Sequence, residues 1–531
     1  MLSYKTPGVY IEEVEKGSKP IAAAPTAITA FVGFTEKCPV GKKGQPVLIT
    51  NWTQYQDNFG GFIPDAYLPL SVYGYYLNGG NICYVVSLMS SDEAKAGAGN
   101  GAAAPVVRPV AQLPGKAATV TASLEAQSQV DGTVTLTVED PTTAGDDLFK
   151  LTVRGPNDAL EVYDNVTLNR GKNIANAIDK VNRESKLVKL KELDTASAVT
   201  DRRPANNTYT LTPAAAAALT TTGAPALTAG GEEFQGDVRK RVGIGGLEAV
   251  DEITLICAPD LMKAYQNKTI SGDQLIALQK GLFEHCEKMK DRFAILDSPP
   301  DMSPEEILDW KSKTANLDTK YGALYYPWIT VANPLAGKNG QPDMIDVPPS
   351  GFMAGLYARV DTERGVHKAP ANEIVRGVVR LPIQVTNGEQ FLLNPAGINC
   401  IRAFPGRGIR VWGARTLSSD ASWQYINVRR LFIMVEESIY QGTQWVVFEP
   451  NSMDLWERVK RTVNAFLTNV WRSGALFGLS PDEAFYVKCD AELNPPSVRD
   501  SGYLIVEIGL APVKPAEFVV FRFSQYSGIG E

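Results

Sequence analysis

The sequence is poor in the residues on which catalysis and covalent bracing most often rest. Only two histidines, His285 and His367, occur in 531 residues, so a histidine-based triad or metal cluster has little to be built from. Six cysteines (Cys38, Cys83, Cys257, Cys286, Cys400 and Cys489) stand singly without C-x-x-C spacing. That pattern indicates neither a zinc site nor a disulfide framework, and fits free thiols in a reducing compartment. Nowhere is there a run of about eighteen apolar residues, and the start "MLSYKTPGVY" carries no basic segment leading into an apolar stretch. The expectation is cytoplasmic synthesis and assembly without direct membrane insertion, so the sequons at Asn51, Asn165, Asn206 and Asn267 read as chance matches. Positive charge is not in excess either: 52 basic against 59 acidic residues give a net charge of −7, which offers no global reason to expect nucleic acid.

What is present is the composition of an ordinary globular protein, 44% hydrophobic and 21% charged, in a chain long enough for two to four domains. "TPGVYIEEV" at 6–14 reads as a strand, and the Gly/Pro-bearing "EKGSKPIAAAPTA" behind it as an extended connector, so 1–25 is an arm. Residues 26–91 ("ITAFVGF", "PVLIT", "NWTQYQDNFGG", "LSVYGYYLNGGNICYVVSL") predict strand, strand, helix, helix, strand, half of an α/β or α+β domain. An Ala/Gly/Pro-rich stretch then leads into short Thr- and Val-rich strands, "GTVTLTVED" and "LFKLTVRG" among them, and 92–235 reads as an inserted β-rich domain, a small sandwich or similar.

Residues 236–347 return to α/β texture. "DEITLICAPD", "RFAILDSPP" and "YGALYYPWITV" predict three strands, and Ser271 with Gln274 and Ser303 with Glu306 carry the capping-box spacing that opens a helix. The segment 348–514 holds further strands and a long amphipathic helix from about Ser452, and 515–531 contains a last strand, "AEFVVFRFSQY". The fold class expected is α/β and α+β multidomain. Because 26–91 supplies only half a sheet, it is expected to pack with 348–514, the inserts sprouting between them.

No constellation joins a nucleophile, a base and an oxyanion donor. His285 and Cys286 are consecutive on a helix and point about 100° apart. "GIGGLEA" at 243–249 precedes a strand, the wrong order for a phosphate cradle, and "PGRG" at 405–408 reads as a turn. Asp297, Asp301 and Glu305 could hold magnesium, but carboxylates are favoured at a strand end and a helix N-terminus without one. No catalytic, cofactor or metal site is expected.

The informative features are surfaces. In "SMDLWERVKRTVNAFLTNVWRSGALFG" the residues Leu455, Trp456, Val459, Val463, Phe466, Leu467 and Val470 share one face of a helix. Arg458, Arg461 and Arg472 form a narrow stripe on the other, with Ala465 and Thr468 between. A single-signed stripe in an acidic protein points to an acidic partner.

"TPGVYIEEV", "AITAFVGFT", "ITNWTQYQDNFGG" and "LNGGNICYVVSL", with "VPPSGFMAGLYARVDTERGVHKAPAN", "GIRVWGARTLSSD" and "WQYINVRRLF", together resemble the contractile tail sheath proteins of phages and phage-like injection systems. The resemblance covers about 3–90 and 237–526. It implies a discontinuous core domain (26–91 and 348–514), an inserted α/β domain (236–347), an inserted β-rich outer domain (92–235) and terminal arm strands. It also implies a helical homo-oligomer around an inner tube protein, with baseplate and terminal cap proteins at its ends, in a phage tail or a released phage-tail-like particle. By resemblance, Val9, Tyr10 and Ile11 in the first arm and Phe518, Val520 and Phe521 in the last are inter-subunit strands, and Arg458, Arg461 and Arg472 attach the tube. The competing readings are a baseplate or fibre component and, less in keeping with two isolated histidines, a hydrolase carrying a β-sandwich.

Overall fold

The computed structural model describes residues 20–90, 110–116, 123–128, 134–155, 159–169, 175–192, 198–211, 230–337 and 342–523. The chain is a mixed α/β multidomain protein with two compact units, Met1–Ala94 with Pro225–Glu531, and Lys95–Ala224.

The larger unit opens with β1 (Thr29–Thr35), β2 (Pro46–Ile49) and β3 (Cys83–Ser90). Every residue of β1 is buried, the mark of a strand covered on both faces. Its parallel neighbour on one edge is β3, with Thr29 opposite Cys83. Between β2 and β3 run the helices Trp52–Phe59 and Leu68–Leu77, the first capped by Asn51, whose side chain accepts from the Gln54 amide at 2.8 Å.

The smaller unit contains β4 (Val110–Leu113), β5 (Leu124–Ser128), β6 (Val134–Glu139), β7 (Leu148–Arg154), β8 (Leu160–Thr167), β9 (Val188–Glu192) and β10 (Asn207–Leu211). They form a four-stranded sheet, β10-β6-β7-β8, and a three-stranded one, β4-β5-β9. The alternation of β6 and β7 turns Leu136, Val138, Phe149, Leu151 and Val153 into one core with Leu124, Val188 and Leu190 from the second sheet, as period-two strands require.

The chain then returns to the larger unit with β11 (Leu255–Cys257), β12 (Phe293–Asp297), β13 (Gly322–Tyr326), β14 (Ile329–Ala332), β15 (Met344–Val347), β16 (Val378–Arg380), β17 (Ile398–Phe404), β18 (Gly408–Val411), β19 (Phe485–Lys488) and β20 (Glu507–Leu510). β11 takes the other edge of β1, with Leu255 opposite Thr29. The result is one eight-stranded sheet, β18-β17-β13-β12-β11-β1-β3-β2. Its six inner strands are parallel, and β2 and β18 close the ends antiparallel.

This corrects the expectation of a separate α/β body in 236–347: its strands and those of 26–91 share a sheet and a core. A strand as apolar as β1 cannot be satisfied by β2 and β3 alone, because its second edge would be left unpaired. The segment from 348 is itself divided. Its first part adds β17, β18 and the helix Ser350–Arg364 to the large core, whereas Leu431, Val435 and the buried apolar residues between Leu455 and Phe485 build a second core.

One further reading changes. "YGALYYPWITV" is two strands, since Pro327, which has no N–H to donate, separates β13 in the large sheet from β14 in a small sheet, β15-β14-β16. "AEFVVFRFSQY" forms no strand within its described part, 516–523, where no partner strand lies alongside. The expected capping boxes at Ser271 and Ser303 are both complete.

The helices Ser350–Arg364 and Leu68–Leu77 cross closely. A Cβ on Gly351 would sit 2.5 Å from that of Ser71, and one on Gly355 2.3 Å from the Tyr75 carbonyl oxygen, so only glycine permits the approach.

Candidate interaction surfaces

The helix Met453–Arg472 starts where Ser452 accepts from the Leu455 amide, and its Asp454 sits favourably at the positive end of the helix dipole. All seven expected apolar residues are buried on one face, together with Thr462. On the opposite face Arg458, Arg461 and Arg472 are exposed. The stripe is not of one sign, however. Asp454, four residues before Arg458, falls on it, and Arg458 lies 3.8 Å from Glu449 with its guanidinium 4.7 Å from the Trp445 ring centre. Arg461 and Arg472 form no ion pair among the described residues. Sequence spacing could place three arginines in a row. It could not show that a loop outside the helix folds back onto one of them.

The last described residues fall into two parts. From Ala511 to Glu517 the chain is held on the second core and the edge of the first: the Ala511 amide donates to the Ala484 carbonyl at 2.9 Å and the Val513 amide to the Ala475 carbonyl at 3.1 Å. The carboxylate of Glu517 accepts from Arg415 Nε at 2.9 Å and Nη2 at 2.7 Å, from Asn394 Nδ2 at 2.6 Å and from the Tyr425 hydroxyl at 3.0 Å. Beyond it Phe518, Val520 and Phe521 are 74%, 75% and 78% exposed. Val9, Tyr10 and Ile11 lie outside the described residues.

The described end of the N-terminal connector is docked. Ile21 packs in the second core, the Ala24 amide donates to Ser438 Oγ at 2.9 Å, and Arg430 donates to the Thr26 carbonyl at 2.9 Å while pairing with Asp361 at 2.6 Å. An extended connector was legible from Gly17, Pro20 and Pro25. Its seat on the helix Ile426–Gly442 was not, because Ser438 is 414 positions away. Nearby, β19 and β20 pair only with one another, leaving outer edges without strand partners among the described residues.

The titratable groups behave as packing elements. His285 is buried with Nε2 3.3 Å from Arg292 Nη1, and burial and that guanidinium push its pKa down to about 4. Burial drives the neighbouring Cys286 thiol up. Asp297, one of the three acids weighed for magnesium, instead accepts from the Ser350 amide at 2.8 Å and hydroxyl at 2.6 Å at the start of a helix. Asp260, which the sequence reading did not single out, is fully buried and accepts from the amides of Phe34 (2.6 Å), Tyr67 and Leu68 (3.3 Å). Burial raises both carboxyls to about 7. Among the described residues no group of three or more His, Cys, Asp and Glu is placed to hold a metal ion, and no helix is long and apolar enough to cross a membrane. "GIGG" is a short helical turn, Gly243–Gly246, ahead of β11, and "PGRG" is the turn between β17 and β18.

Against known proteins, residues 250–417 match the family described as phage tail sheath protein central domain, and residues 418–525 that described as phage tail sheath C-terminal domain. The tail sheath protein of Vibrio phage KVP40 is 31% identical over 181 residues, covering 33% of this chain and 26% of that protein. A prophage major tail sheath protein of Pseudomonas aeruginosa strain UCBPP-PA14 is also 31% identical over 181 residues, covering 33% and 45%. The match thus spans from a quarter to less than half the length of these relatives. Among solved structures, the helical sheath of the anti-feeding prophage in its contracted state aligns with 99% of this chain and all of its own at a TM-score of 0.56 and 24% identity, a likeness of fold.

Proposed function

The chain belongs to the phage tail sheath family, and from that premise we propose that it is the repeating subunit of a contractile sheath. It polymerises helically around an inner tube and contracts to drive the tube through a target cell envelope. The observation that carries this reading is the unbroken match of residues 250–525 to the central and C-terminal sheath domains, a span that includes the arginine-bearing helix and ends in the exposed apolar arm. Its partners are further copies of itself, the inner tube protein, and baseplate and terminal cap proteins. Its place is a phage tail or a released phage-tail-like particle. Membership sets it among structural sheath proteins rather than enzymes.

Neighbouring subunits are joined by exchanged strands, Val9, Tyr10 and Ile11 at one end and Phe518, Val520 and Phe521 at the other. The energetics support exchange as a lattice property. Burying Phe518, Val519, Val520, Phe521 and Phe523, all now exposed, gains roughly 7–15 kcal/mol before any other term. Ordering the backbone of residues 518–523 opposes this with about 6–12 kcal/mol. One arm alone is near balance, and many arms in one tube supply the avidity. The edges of β19 and β20, without strand partners among the described residues, are the kind of surface on which added strands gain ladder hydrogen bonds.

Tube attachment falls to the helix Met453–Arg472 through Arg458, Arg461 and Arg472. Contraction needs no nucleotide when the extended lattice is kinetically trapped and the contracted one buries more interface. Electron microscopy of the purified protein, alone and with its tube partner, tests the proposal. Hollow tubes with a helical repeat are expected; a protein that stays monomeric at every concentration would overturn it.

A further inference from the structure

The C-terminal segment changes character at a single residue. Up to Glu517 it is tied to its own subunit; from Phe518 every described side chain is exposed. The tie at Glu517 is built from four donors on three separate stretches: Arg415 after β18, Tyr425 at the start of the helix Ile426–Gly442, and Asn394 at the end of the helix Asn387–Leu393. Arg415 is itself rigidly held. Its amide donates to Asn399 Oδ1 at 2.7 Å and its carbonyl accepts from Asn399 Nδ2 at 2.8 Å, and Asn399 is fully buried in β17. The Arg415 side chain is 10% exposed and that of Glu517 18%. A two-pronged ion pair between such groups resists reorientation far more than a surface pair does.

We infer that Glu517 is the root anchor of the C-terminal arm: it assigns residues 511–517 permanently to their own subunit and leaves only the residues from Phe518 onward for donation. This rests on the strand-exchange reading above and goes beyond it, because it fixes where the arm leaves the body and which contact bears the load when a neighbour holds the far end. The expected boundary at 515 moves to 518. Without the anchor, residues 511–517 peel away, the donated strand loses its starting point and register, and the ordering that the anchor has already imposed must be supplied by the neighbour.

Three variants compared with the full-length chain test it, each read as sedimentable tubes and as amide hydrogen exchange of the soluble subunit. Glu517→Ala is expected to keep the wild-type far-ultraviolet spectrum, to lose about tenfold protection at Ala511 and Val513 while β1 is unaffected, and to reduce tube mass about tenfold or more through lost avidity. The double change Asn394→Ala with Tyr425→Phe leaves the half-buried ion pair intact. It is expected to move both readings in the same direction by less, and serves as the test variant should Glu517→Ala misfold. Ending the chain at Glu517 is expected to abolish tubes while leaving Ala511 and Val513 protected. Tubes in normal yield from Glu517→Ala, with none from the truncated chain, overturn the anchor and leave strand exchange standing. Normal tubes from the truncated chain overturn strand exchange at this end, and the anchor with it.

Discussion

Asp260 ties together parts of the larger unit that lie far apart in sequence. Its carboxylate ends the search of three backbone amides from the region of β1 and the helix Leu68–Leu77, each more than 190 positions away in sequence. Gly33 has to be glycine beside it, since a Cβ there would lie 2.3 Å from Asp260 Oδ2. Asp260→Ala strands these buried donors, and at about 1–3 kcal/mol for each unsatisfied group the variant is expected to lose about 3 kcal/mol or more in urea unfolding. His285 gives a pH signature. Its pKa near 4 in the folded chain, against an ordinary 6.5, means that the unfolded chain binds the extra proton as the pH falls from 6.5 to 4. Stability is therefore complete above 6.5 and declines by about 3 kcal/mol toward pH 4 through this group. Asp260 and Asp297, with raised values, act in the opposite sense between about 4 and 7. The histidine contribution is accordingly measured as the difference between wild type and His285→Gln across that range, expected to shrink on acidification and to be flat above pH 7.

At the scale of elements, what could be read in advance was what local chemistry decides. The buried face of the helix Met453–Arg472 follows from a 3.6-residue period, and Ser271, Ser303 and Ser452 announce helix starts because a side-chain oxygen there meets an otherwise unpaired amide. Contacts between remote stretches carry no such local sign. Nothing in "PAEFVVFRF" marks Glu517 as an anchor, and nothing in "TQWVVFEP" places Trp445 against Arg458. That second contact has a consequence for the arginine stripe. Arg458 is partly committed to its own loop, so Arg461 and Arg472 are the arginines left for the proposed contact with a tube. Arg461→Glu with Arg472→Glu is expected to leave subunit stability within about 0.5 kcal/mol, as for exposed positions generally, and to weaken co-sedimentation of sheath with tube, steeply so at low salt. Unchanged tube binding in that variant would remove the helix from the attachment site.

Across the whole molecule, composition and patterning led to the expectation of an inserted β-rich stretch and two terminal arms, but could not show that 26–91 and 236–347 share one sheet. Parallel strands are joined through long crossovers, and the pairing of β1 with β11 leaps the entire insert. Both described arm roots turn out to be fastened to the body, at Ala24 and Thr26 on one side and Glu517 on the other. Under the proposed exchange, only residues beyond those fastenings are available for donation to a neighbour. The direct measurement is electron microscopy of full-length protein beside a chain lacking residues 1–16, at equal concentration and with matched circular dichroism. The account predicts hollow helical tubes from the first and only folded, soluble subunits from the second; tubes of normal number and length from the shortened chain would contradict it.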